Sequence, residues 1–362
     1  MIKNEVLEKI TAQGTVANLD VTFNNAKKLI EAALVRIAKR NNMFNPTDVN
    51  IYMQGSYLNG TNVFTASNVE IVVELTKTAS FDPATLTPAS YSLINNYFLG
   101  KFNLDYTVEN LKHDLYLELN AFTDNKATLE ERKTIHIAAF KDLPRRVDIL
   151  PAFSFKKFVR KLDGGYKVVP GILVWDDDAQ THIMSFPKIH AENVSKKDKA
   201  TNGNFVKMVR IFKTLRIYCS RAELITKKQA PGYFVECLIY NVPNSLFKGT
   251  LEEQFLKIIN WLVNDNLLDN NCANEQWALI GTASEFWNIL DANDFLLCMA
   301  YIWHNANEFI EINDLEAKLA MEAGKNKKQE KQEKTENVEK QNSTAQVKQE
   351  TKKETAKPKK TK

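Results

Sequence analysis

The chain contains no apolar run approaching the roughly 20 residues that a membrane-spanning helix needs, so membrane insertion is not expected. Its first ten residues, MIKNEVLEKI, carry Glu5 and Glu8 where a secretory leader needs an uncharged apolar stretch. A cytoplasmic location is the expectation. Cysteine is scarce: Cys219, Cys237, Cys272 and Cys298 stand at least 18 residues apart and never in C-x-x-C spacing. That spacing excludes a zinc framework and points to reduced core thiols. His113, His136, His182 and His304 form no metal-ligand spacing, and His190 reads as a structural or linker contact. No internal repeat is present.

A strong charge of one sign is also missing from most of the chain. The formal net charge is +4, yet residues 321–362 hold 13 lysines and 7 glutamates, a net of +6. Residues 1–320 therefore carry 35 basic and 37 acidic side chains, a net of −2. From Lys325 onward the sequence is Lys, Glu, Gln and Thr with almost no apolar residue, so burial cannot offset the entropy of ordering it, and it is expected to be disordered. Its mixed Lys/Glu pattern marks a solubilising linker. The tail's lysines give an electrostatic basis for weak RNA contact, but no stable nucleic-acid partner is expected.

What remains is enough for one large core or two modest ones. Leu29, Ile30, Ala33, Leu34 and Ile37 form an apolar stripe that predicts a helix over 21–40. Strands are predicted at Val49–Met53, Val69–Leu75, Leu115–Asn120, Lys133–Phe140 and Arg146–Phe155, and a helix at Tyr91–Leu99. Ile172–Trp175 and Thr181–Met184 flank Asp176-Asp177-Asp178, which reads as a hairpin turn rather than a metal site. Beyond Pro187 the period becomes helical: Phe205, Met208, Val209, Phe212 and Leu215 share a face, and further helices are predicted over 231–241, 251–265, 283–290 and 293–308. The fold class expected is mixed α/β (α+β): a sheet-based core over 1–190 with N-terminal helices, an all-helical lobe over 191–322 and the tail over 323–362.

One strand carries chemistry. In Asn68-Val69-Glu70-Ile71-Val72-Val73-Glu74, side chains two apart share a face, so Asn68 and Glu70 project together while Val69, Ile71 and Val73 face a core. They follow the polar turn that Gly55-Ser56 opens, and Asp148 sits in a second apolar strand, Arg146–Pro151. Acidic groups beside a backbone turn suit divalent cations and a nucleoside triphosphate. Read singly, Asn68 and Glu70 are ordinary polar residues at a strand start, and Asp148 is a partner for Arg145 or Arg146. Lys207, Arg210 and Lys213 read as a solvated helix face, and Tyr218 and Tyr233 as core.

The segment QGSYLNGTNVFTASNVEIVVEL resembles the signature of the polymerase-β-like nucleotidyltransferase superfamily: Gly-Ser, about a dozen residues, then two acidic positions on a strand. VDILPAF, FPKIHAENVSKKDKATNGNFVKMVRIFKTLR and YFVECLIYNVPNSLF are similar to later segments of its SMODS-type branch, the cyclic-oligonucleotide synthases related to cyclic GMP–AMP synthase and oligoadenylate synthase. The resemblance covers roughly residues 20–310. It implies that Gly55, Ser56, Lys207 and Lys213 hold a triphosphate, the turn amides facing the anion. It further implies that Asn68, Glu70 and Asp148 hold Mg²⁺ or Mn²⁺, with Glu70 and Asp148 catalytic and an NTP as substrate. Asn68 and Glu70 stand where the family pattern has two aspartates; Asn68 keeps an oxygen but removes a charge, which weakens cation binding. Two alternatives follow, a weakened nucleotide-binding relative acting as sensor or scaffold and an RNA-directed nucleotidyltransferase.

Overall fold

The computed structural model describes residues 2–12, 19–63, 68–99, 105–129, 132–282 and 286–305. The predicted disordered tail and its RNA contact fall outside them. Two helices come first, α1 (Asn4–Ala12) and α2 (Leu19–Asn41), the second extending the predicted one by a residue or two at each end. The sheet then alternates with helices: β1 (Val49–Gln54), α3 (Gly55–Leu58), β2 (Val69–Asp82), α4 (Pro88–Leu99), α5 (Val108–Phe122), β3 (Ala127–Thr128), β4 (Ile135–Ile137), β5 (Val147–Arg160), β6 (Tyr166–Asp176) and β7 (Thr181–Ser185). After β7 come α6 (Pro187–Ala200), α7 (Asn204–Arg221), α8 (Gly232–Asn241), α9 (Leu251–Asn264) and α10 (Ile289–His304). No described helix is long and apolar enough to cross a membrane. Ile2–Ile302 cluster as one compact unit.

The seven strands form one mixed sheet. Its main path runs β1-β2-β5-β4-β3, with β6 on the outer half of β5 and β7 on β6. β2 and β5 are parallel, whereas β1–β2, β4–β5, β5–β6 and β6–β7 are antiparallel. Two-residue alternation decides which side of β2 meets the helices. Val69, Ile71 and Val73 pack with Val147 and Ile149 of β5 against Ile30, Leu34 and Ile37 of α2 and Leu111, Leu115 and Leu119 of α5. Each such fully buried Leu, Ile or Val contributes about 1.5–3 kcal/mol over an exposed one. Even-numbered residues of β2 face the other way, which leaves Glu70 and Glu74 off the main core.

Three predicted elements need correction. Leu115–Asn120 is not a strand but part of α5. Leu115, Leu117 and Leu119 alternate as a strand would, yet Leu117 is 47% exposed while Leu111, Leu115 and Leu119, spaced by four, are fully buried. Thr107 caps this helix, accepting from the Asn110 amide at 3.1 Å while the Asn110 side chain returns to the Thr107 amide at 2.9 Å. The predicted strand Lys133–Phe140 shrinks to Ile135–Ile137, and the helix expected over 283–290 begins only at Ile289, where α10 starts. Residues 283–285 and 306–308 of the last two predicted helices lie outside the described residues. The Asp176–Asp178 turn holds: Asp176 is buried, accepts from Arg132 at 2.8 and 3.1 Å, and accepts from the amides of Asp178 and Ala179 at 3.1 Å each. All four cysteines are buried free thiols.

Candidate active site

The sheet register builds the acidic part of the site. Gln54 of β1 pairs with Glu70 of β2, Glu70 with Asp148 of β5, and Asp148 with His136 of β4. Four polar side chains thus form one row across four strands, because laterally paired residues share a face. Gln54 Nε2 donates to Glu70 Oε2 at 3.3 Å. Asn68, two residues before Glu70, donates its Nδ2 to Asp148 Oδ2 at 2.8 Å. His136 Nδ1 lies 2.7 Å from Asp148 Oδ1, so it donates to the carboxylate. Burial, assisted by the neighbouring Asp148 charge, pushes the Glu70 carboxyl above its ordinary value, against the Gln54 hydrogen bond and the Lys213 charge.

Gly55 is required by this row. Its φ is +73°, and a Cβ built there would lie 2.4 Å from Glu70 Oε1. Only glycine lets the backbone turn left-handed and accept the carboxylate at that distance.

A second carboxylate lies on the other side of the turn. Glu236 of α8 is fully buried and receives four donors: Asn59 Nδ2 and His190 Nε2 on Oε1 at 2.7 and 2.9 Å, and Lys213 Nζ on Oε2 at 2.6 Å together with the Thr61 hydroxyl. Lys213 also donates to Thr61 Oγ1 at 3.1 Å. Burial alone would raise the Glu236 carboxyl; the Lys213 charge and the hydrogen bonds from His190 and Lys213 outweigh it and hold the group far below the usual carboxylate range. Four segments distant in sequence are joined at this one ionised group.

Between the two carboxylate centres opens a cavity of about 450 Å³. Of the residues singled out in the sequence, Gly55, Ser56, Asn68, Glu70, Asp148 and Lys213 line it. Lys207 does not. It stands six positions before Lys213, which turns it about 120° around α7. Arg216 lines the wall instead, one turn beyond Lys213 on the same face; its Nη1 donates to Ala230 O at 2.8 Å. Tyr233 is wall rather than core: it is 44% exposed, stacks on His190 with ring centroids 5.2 Å apart, and its hydroxyl accepts from Asn274 Nδ2 at 3.2 Å. Tyr218, by contrast, is buried as expected. His190, His136, Arg216 and Glu236 were not singled out as site residues. The Lys213-to-Arg216 spacing and the lone polar residue of Ile135-His136-Ile137 were the available signals for two of them. Among the described residues no cluster of three or more His, Cys, Asp or Glu has the geometry of a metal cage.

Residues 192–304 match the family model of the cGAS/DncV-like nucleotidyltransferase C-terminal helical domain. Over its helical half the chain is thus similar to the cGAS/DncV-like nucleotidyltransferases. A cyclic UMP-AMP synthase of Rhodothermus marinus is 29% identical over 255 residues, covering 70% of this chain and 84% of that relative. A cyclic nucleotide synthase of Staphylococcus haemolyticus, CdnE01, is 29% identical over 286 residues, 77% of this chain and 92% of that one. Among solved structures, the Rhodothermus marinus CdnE c-UMP-AMP synthase with Apcpp and Upnpp superposes with a TM-score of 0.69 at 28% identity, covering 84% of this chain and 97% of the other. The Elizabethkingia meningoseptica CdnE cyclic dinucleotide synthase with GTP and Apcpp gives 0.63 at 26%, covering 84% and 99%. The sheet-plus-helices architecture of this chain is thus similar to that of two synthases whose structures were solved with GTP or with Apcpp and Upnpp.

Proposed function

We propose that this chain transfers a nucleoside monophosphate from an NTP to a hydroxyl, in the manner of a cyclic-oligonucleotide second-messenger synthase. The observation that carries the reading is the gathering of the Gly55-Ser56 turn, the Glu70–Asp148 pair and Lys213 around one cavity. The relatives named cyclic nucleotide synthases support the same reaction class.

In this reading the triphosphate lies along the turn, with the Ser56 hydroxyl and the third N–H of Lys213 toward its oxygens. Lys213 uses its other two on Glu236 and Thr61, which aims the ammonium without consuming it. The acceptor hydroxyl attacks the α-phosphorus, the bond to the bridging oxygen breaks, and pyrophosphate leaves. Asp148, fixed from both sides by Asn68 and His136, takes the hydroxyl proton. The open face of Tyr233 suits a stacked base. Glu70 and Asp148 stand side by side and fit one magnesium ion, which binds through one or two carboxylates plus phosphate oxygens. Held by Glu70 and Asp148, such an ion would supply positive charge to the phosphate oxygens.

Incubation of the purified chain with each labelled NTP, and with pairs of them, in Mg²⁺ or Mn²⁺ should release pyrophosphate and yield a phosphatase-resistant product. No product with any combination sinks the proposal. A second reading, a nucleotide sensor with little turnover, is favoured by the Asn68 contact; measurable NTP affinity with no turnover would select it.

A further inference from the structure

We infer that Asn68 is a positioning donor rather than a cation ligand, and that this site holds one divalent cation per bound nucleotide, a second being admitted only if residue 68 becomes aspartate. The inference deepens the nucleotide reading of the cavity and rests on it.

The orientation of the amide comes first. Asn68 meets Asp148 Oδ2 at 2.8 Å. Reversing the amide would set two acceptors against each other at that distance, so the hydrogen bond fixes the nitrogen toward the carboxylate. Asn68 therefore presents its donor end to the acidic row, and its oxygen lies on the other branch of the amide. An NH₂ group repels a cation placed against Asp148.

The remaining oxygens are few. Asp148 accepts from Asn68 on one oxygen and from His136 on the other, which leaves one lone-pair direction on each. Glu70 accepts from Gln54, and its carboxylate occupies the space that a Cβ on Gly55 would take. Two carboxylates, each already hydrogen-bonded, suffice for one magnesium-like ion that takes its other ligands from phosphate and water. A pair of divalent cations about 3.5–4 Å apart brings four positive charges, and its mutual repulsion needs more anionic oxygen than this row offers. Glu236 cannot supply the deficit, since both its oxygens are saturated by four donors.

The test counts manganese. Wild-type protein and N68D are each equilibrated with Mn²⁺ and non-hydrolysable α,β-methylene analogues of ATP, GTP, CTP and UTP. Bound Mn²⁺ per bound analogue is read by electron paramagnetic resonance and equilibrium dialysis. The expected result is one Mn²⁺ per analogue in wild type, and two in N68D with the line broadening of a close pair. H136N should weaken Mn²⁺ binding about tenfold while the ratio stays at one, a split that a general loss of fold would not produce. Two Mn²⁺ per analogue in wild type overturn the inference and leave the nucleotide reading standing, and this arm needs no variant. A ratio of one in folded N68D, judged by an unchanged unfolding midpoint, overturns it as well. Failure of every analogue to bind wild type overturns both the inference and the nucleotide reading.

Discussion

Glu236 and the Glu70–Asp148 row face the same cavity, and the two centres solve the burial of a carboxylate in opposite ways. Glu236 has a donor for every direction and a lysine against it, so burial is over-compensated and the group stays ionised deep into acid. Glu70 is buried with one long hydrogen bond and another carboxylate as lateral neighbour, so burial wins and its proton is held more tightly. The first arrangement holds segments together. The second is left short of positive charge, which is the state a cation-binding site must be in before it is loaded. On the proposed reading, folding and chemistry fall to different carboxylates that line one cavity.

The sharpest way to break that division is to find a larger rate loss at Glu236 than at Asp148, or a larger stability loss at Asp148 than at Glu236. Asp148→Asn removes the proton acceptor and sets an amide against two donors. It should lower nucleotidyl transfer by roughly 10²–10⁴-fold and stability by about 1–3 kcal/mol. Initial rates of pyrophosphate release and a urea unfolding curve check both; a rate loss matched by complete unfolding would contradict the assignment. Glu236→Ala should instead cost about 3–5 kcal/mol of stability, because Lys213 and His190 are left buried without their partner. Lys213→Met should cost a similar amount. The double variant should cost clearly less than the sum, since the two changes remove one pair. Strict additivity would show that the pair is not the stabilising unit.

Sequence reasoning reached the row and missed the hub for a physical reason. Asn68, Glu70 and Asp148 lie in apolar runs where two-residue alternation fixes the face, so a strand pattern alone says that they project from the core. Their mutual register, Glu70 beside Asp148, is already tertiary information. Thr61 and Glu236 are 175 residues apart, and Lys213 and Glu236 23 apart on different helices, so no period links them. Helix α5 failed for the converse reason. The local window Leu115–Asn120 satisfies a strand template, and only the longer four-residue stripe from Leu111 to Leu119, with the Thr107 cap, decides for helix. Lys207 was placed by motif position, and helical phase sets it off the cavity wall that Lys213 lines.

Gly55 lets the row be tested from the backbone. Gly55→Ala places a methyl within 2.4 Å of Glu70 Oε1 at a φ of +73°, so overpacking adds to left-handed strain and the cost should be about 2–4 kcal/mol. Gly164→Ala is the control: φ is +90° and nothing lies within 4 Å of the added Cβ, so strain alone remains, about 1–2 kcal/mol. Pairing Gly55→Ala with Glu70→Ala should recover the difference between them. Equal costs at Gly55 and Gly164 in urea titrations would mean that the carboxylate yields freely.

The smallest effect, and the most direct contrast between the two glutamates, is in the pH dependence of stability. Glu70 is raised above the ordinary value of 4.5, so from there upward the folded chain keeps a proton that the unfolded chain has released. Stability therefore falls as pH rises through that window. Glu236 is depressed, so its contribution is complete above 4.5 and is lost only as pH falls through its lower folded value. Glu70→Gln should remove the first slope and leave the second, making the variant more stable than wild type at pH 8 and nearly equal to it near pH 4, in divalent-free buffer. Urea midpoints at the two pH values decide it. A variant less stable than wild type at pH 8 would mean that Glu70 is held as an anion after all, and the two carboxylates would then differ in partners but not in kind.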